Sequence, residues 1–155
     1  MEFSTQQDIN APTHSVFAFL CDFEAFEREA VQRDITVQRI ATAPRACVGS
    51  AWSAKARFFD KAHDLQIELT ELVPDHRMAL DVFSKDLKGR LTIDIEALPQ
   101  DRSRLRAVVQ AHPQTFSARI LLRSAKVMRI GLDKRFDAMV AGVVRRIEAR
   151  PAQQP

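Results

Sequence analysis

The chain has 155 residues, 46% of them hydrophobic, with 23 Lys/Arg against 20 Asp/Glu. That is enough for one globular domain with a real core, and it excludes disordered and fibrous classes. The longest uncharged apolar stretches, 16–21 and 139–144, are far too short to span a bilayer.

In chain order, "FSTQQDI" (3–9) reads as a short strand with Phe3, Thr5, Gln7 and Ile9 on one face. Pro12 suits the first turn of a helix, where its missing N–H is not needed. Val16, Phe17, Leu20 and Cys21 then form a one-sided apolar stripe, and Phe23 and Phe26 continue it into a second short helix ending near Arg33.

From Asp34 the period changes from 3.6 to 2. "DITVQRIATA" precedes a break around Pro44 and Gly49. Trp52, Ala54, Ala56 and Phe58 then alternate with Ser53, Lys55 and Arg57, and Leu65, Ile67 and Leu69 with Gln66, Glu68 and Thr70. Past a turn at 74–76 come Met78, Leu80 and Val82. Past another at 84–89 come Leu91, Ile93 and Ile95, and past 99–103 come Leu105, Ala107 and Val109. Regular strands with one wet face describe an antiparallel meander packed on one side.

After His112-Pro113, Thr115 or Ser117 can cap a helix. Leu121, Ala125, Met128, Leu132, Phe136, Met139, Val143 and Ile147 step by three or four along it. The pattern predicts one long helix of about 30 residues, roughly 45 Å. From residue 113 onward nine Lys/Arg face three acids, while the rest of the chain is net acidic. Without an aromatic platform for bases, this basic face reads as a solvated surface, and no nucleic-acid partner is expected.

Strand, two short helices, six strands and one long helix have a physical logic. A curved sheet with one apolar face and a helix with one apolar stripe cover each other and leave space between them. With that order, "DINAPTHSVFAFLCDFEAF" (8–26), "VGSAW" (48–52) and "ELTELVPDHRMAL" (68–80) resemble the START/polyketide cyclase-like superfamily (SRPBCC), the helix-grip fold shared with birch-pollen-allergen-type proteins. The fold class implied is α+β. A curved antiparallel sheet of about seven strands wraps on a long C-terminal helix, in one domain over 1–150 followed by a disordered tail over 151–155.

The resemblance implies a pocket for a lipid, polyketide or other polycyclic molecule. Its expected lining is Phe26, Trp52, Phe58, Met78 and Leu80 from the first part of the chain, and Ile93, Val109, Leu121, Met128 and Leu132 from the second. A minority of relatives are cyclases, aromatases or dehydratases, which need a positioned acid or base. None of the inward sets above contains an ionisable residue, and the chain has no Tyr. His14, His63, His76 and His112 lack metal-ligand spacing, so neither a metal nor a cofactor is expected. His63 and His76 read as exposed turn residues, and His112 as a candidate for the cavity mouth.

The leading expectation is therefore a binding or carrier protein for a hydrophobic small molecule. The alternatives are a polyketide cyclase/dehydratase-like enzyme and a protein-interaction module using the basic C-terminal helix. Cys21 and Cys47 form no C-x-x-C and no basic, apolar leader opens the chain, so a reduced, cytoplasmic protein without integral membrane association is expected. Its oligomeric state is left open.

Overall fold

In the computed structural model, which describes residues 1–33, 35–41, 48–58, 61–127 and 129–150, the strands form one antiparallel sheet. They are β1 (Glu2–Ile9), β2 (Thr36–Ala41), β3 (Ala51–Phe58), β4 (Lys61–Val73), β5 (Arg77–Phe83), β6 (Leu87–Leu98) and β7 (Arg102–Pro113). Helices α1 (Thr13–Leu20) and α2 (Phe23–Gln32) lie between β1 and β2. Helices α3 (Phe116–Val127) and α4 (Arg129–Ala149) follow β7. The expected long helix thus appears as α3 and α4. Met128 between them, and the tail 151–155, lie outside the described residues.

The sheet order is β1-β7-β6-β5-β4-β3-β2. From β2 to β7 each strand pairs with the next through a short connection, as antiparallel neighbours can. The first strand instead pairs with β7, so α1 and α2 carry the chain across to the far edge. Asp75, Gln100 and Asp101 take positive φ in the β4–β5 and β6–β7 turns. Gly49, at φ +97, precedes β3 in a conformation that side chains resist.

One irregularity sets which side chains face inward. Leu69 pairs with Leu80 but Glu71 pairs with Ala79, so Thr70 is an extra residue on β4. The bulge shifts the alternation by one, which puts Glu71 outside and returns Leu72 to the face of Leu69.

The inner face packs beneath α1 and α4. Val16, Phe19 and Leu20 of α1 and Val140, Val144 and Ile147 of α4 join Ile9, Leu69, Met78, Ile93, Ile95, Leu105 and Ala107 in one core. Fully buried Ser103 donates its hydroxyl to the Ala11 carbonyl at 2.6 Å, tying the β1–α1 corner to β7. The apolar stripe of α4 differs from the expected one. Ile147 is buried and Phe136 and Val143 pack on the core as expected, but Met139 is 56% exposed and Val140 and Val144 are buried instead.

Candidate functional site

Strand register divides the inner face into two parts. In one, Leu105 with Ile95 and Ala107 with Ile93 and Met78 form rows across β7, β6 and β5, all buried. In the other, Val109, Leu91 and Leu80 form a row that ends at buried Leu69. The next row contains Val82, Ile67 and Trp52. Here Val109, Leu91, Leu80, Val82 and Ile67 are only half-buried although they face inward. The sheet's concave side is sealed at one end and incompletely covered at the other.

Helix α2 stands at the open end with no buried residue of its own. Asp22 caps it, accepting from the Ala25 N–H at 3.3 Å. On its sheet side, Glu27 Oε1 accepts from Arg39 Nε at 2.9 Å and Trp52 Nε1 at 3.0 Å, and its ion pair with Arg39 brings Nη2 to 2.7 Å. Arg39 pairs across strands with Trp52, so its side chain starts from the inner face. Phe23 meets the Trp52 ring edge-on, centroids 4.8 Å apart, and Phe26 meets Phe19 likewise at 5.8 Å. Trp52 is 5% exposed, its polar N–H satisfied and its ring in the aromatic collar.

On its other side α2 is bound to α4. Glu29 forms an ion pair with Arg146, and Asp22 one with Arg150 at 2.7 Å. Both guanidinium groups lie over the Phe19 ring. The bond from Arg150 holds the Asp22 carboxyl below its ordinary value of 3.8. The basic face expected of the C-terminal helix is therefore partly used inside the molecule. Burial, with Asp75 nearby, pushes the Cys21 thiol up to about 11, leaving it protonated at neutral pH.

The structure puts charge on the inner face and corrects two histidine readings. Arg39 belongs to it, as above. His63 belongs to it too: β4 begins at Lys61, His63 pairs with Ala56 and is 6% exposed, on the same side as Leu65 and Ile67. The turn reading failed because the strand extends three residues before Asp64. His112 pairs with Lys88 on the outward side and is exposed, so it does not sit at a cavity mouth. His76 is an exposed turn residue as expected.

Of the ten expected lining residues, Leu80 and Val109 fall in the half-covered rows, and Trp52 and Phe26 in the collar beside them. Met78 and Ile93 lie in the sealed rows. The side chains of Phe58, Leu121 and Leu132, and all of Met128, are outside the described residues. Glu27 and Arg39 were missed. The available signal was the need of the single Trp for a partner to its N–H.

The outer face is built for water. A broad depression of about 620 Å³ is lined by Glu71, Arg77, Asp94, Glu96, Arg104 and Arg106 among others. Arg77 lies 3.6 Å from both Glu71 and Asp94, and Arg104 is 2.9 Å from Asp8. Among the described residues no group of His, Cys, Asp and Glu could hold a metal ion. No helix among them is long and apolar enough to cross a membrane.

No family model matches the sequence, and no curated protein does. Solved structures do match. The aromatase/cyclase ZhuI from Streptomyces sp. R1128 superposes with a TM-score of 0.68 over 99% of both chains, at 12% identity. Norcoclaurine synthase from Thalictrum flavum gives 0.68 over 97% of this chain and 87% of that one, at 8% identity. The protein TTHA0849 from Thermus thermophilus gives 0.70 over 96% and 98%, at 16% identity. At such identities the likeness lies in the fold alone, the helix-grip α+β fold expected from the sequence.

Proposed function

We propose that this protein binds or carries a hydrophobic small molecule against the half-covered part of its inner sheet face, beside the collar of Phe23, Phe26 and Trp52. One observation carries the reading. Leu80, Leu91 and Val109 face inward on central strands yet keep accessible surface, while the rows towards Ala107 and Leu105 on the same strands are sealed. Apolar surface on a concave face gains by being covered, at roughly 25 cal/mol per Å². A polycyclic molecule supplies that cover. Met78 and Ile93 would form the floor, and Phe58, Leu121, Met128 and Leu132 remain candidates for the far wall. Mass spectrometry of the purified protein under native conditions should find a bound apolar molecule, or naphthalene should quench the fluorescence of Trp52. Absence of both a bound mass and quenching would contradict the proposal.

A second reading, an enzyme of the cyclase/dehydratase kind, is favoured by the ionisable groups on the inner face, Arg39 with Glu27 and buried His63. Two of the structural neighbours carry enzyme names. Chemical change of the bound molecule on incubation, lost in His63→Asn while binding persists, separates catalysis from carriage.

A further inference from the structure

We propose that Glu27 and Arg39 form the polar recognition point of this pocket, and that they select a neutral ring-bearing ligand with a hydroxyl group over an anionic one. The inference rests on the binding reading above and adds the ligand's polar chemistry to it.

The hydrogen-bond inventory of the pair is uneven. Two donors and a second guanidinium nitrogen converge on Glu27 Oε1, all within 3.0 Å. Oε2 accepts nothing from the described residues, and Arg39 Nη1 donates to none of them. The two side chains are 30% and 24% exposed, so the pair is not sealed by protein. Among the described residues, therefore, an open acceptor and an open donor lie on one ion pair, next to an aromatic collar.

A hydroxyl is both donor and acceptor, so it can give its proton to Oε2 and accept from Nη1. A carboxylate gains from Arg39 but must lie against the Glu27 charge. A ligand ammonium meets the opposite conflict. The ion pair is neutral as a unit, and it penalises either ion by like-charge contact while satisfying a neutral partner fully. The edge-on Phe23–Trp52 pair beside it favours a flat ring over a flexible chain.

The test is calorimetric titration of the whole protein with naphthalene, 2-naphthol and 2-naphthoate, which share one ring system. Wild type should bind 2-naphthol at least fivefold tighter than naphthalene and than 2-naphthoate. Glu27→Gln leaves Arg39 uncompensated and should raise the affinity for 2-naphthoate at least fivefold relative to that for naphthalene on the same variant. Arg39→Gln should weaken 2-naphthol without any gain for 2-naphthoate. Equal binding of naphthalene and 2-naphthol by wild type, or wild-type preference for 2-naphthoate, overturns the inference and leaves the pocket standing. That ranking needs no variant, so a variant that fails to fold does not rescue the idea. If none of the three binds, the pocket itself is refuted.

Discussion

Around Ala107, Ile93 and Met78, with Leu105 and Ile95 beside them, the inner face is closed by Val16 and Leu20 of α1 and by Val144 and Ile147 of α4. Around Val109, Leu91 and Leu80, on the same three strands and two residues along each, it is only half closed. The side chains are of the same kind in both places, so hydrophobicity alone does not set the difference. Helix placement does. Helix α1 packs on β6 and β7, α3 on β7, and α4 runs along β1, whereas α2 meets the sheet at the β2 edge. One end of the grip is core, and the other holds an apolar surface that stays half-buried.

The largest expected effect breaks this comparison if it is wrong. Leu105→Ala empties a sealed site and should cost about 3 kcal/mol in urea unfolding, the usual scale for a buried Leu truncated to Ala. Leu91→Ala, in the half-covered row, should cost about 1 kcal/mol because part of that side chain already meets solvent. Equal costs would erase the distinction between the two parts.

Ser103→Ala should cost about 1–2 kcal/mol, because it leaves the buried Ala11 carbonyl without its donor. The loss should appear as faster amide exchange at the β1–α1 corner. Unchanged exchange there would show that the corner is held by packing alone.

The contacts of α2 should respond differently. Glu29→Gln removes a partly exposed ion pair with Arg146 and should cost less than about 1 kcal/mol. Amide exchange along α2 should rise all the same, since this helix buries no residue. If exchange along α2 equals that of α1 in both proteins, α2 is not the looser element.

The smallest effect is on acid stability. The folded-state pKa of Asp22 is depressed, chiefly by the bond from Arg150. Its contribution is therefore present above the ordinary value of 3.8 and fades as pH falls through the lower folded value. Asp22→Asn keeps an N-cap residue but loses this pairing. It should be slightly less stable than wild type at pH 6, and the gap should shrink in thermal melts towards pH 3. A gap that stays constant with pH would assign the effect to the cap instead.

Much of the sheet was readable because period-2 alternation is strict where one face is wet. Trp52 and Ala54 are buried while Ser53 and Lys55 are exposed, and Asp81 and Asp94 point outward as read. The charged part of the site was not readable. In β2 the sequence Thr36-Val37-Gln38-Arg39-Ile40 has apolar residues on both faces, and pairing with Trp52 decides that Arg39 goes inward and Ile40 stays 56% exposed. His63 was hidden by the strand's true start at Lys61. Whether an inner-face charge exists was a question of register, which local pattern does not settle when both faces carry apolar residues.

The central claim is that the half-covered part of the inner face is a binding site and the sealed part is core. Methyl NMR of the protein with labelled Leu and Val, titrated with naphthalene, tests it most directly. The account predicts saturable shifts at Leu80, Leu91 and Val109 and none of comparable size at Leu105 or Val144. Shifts spread equally over both groups, or confined to Leu105 and Val144, would contradict it.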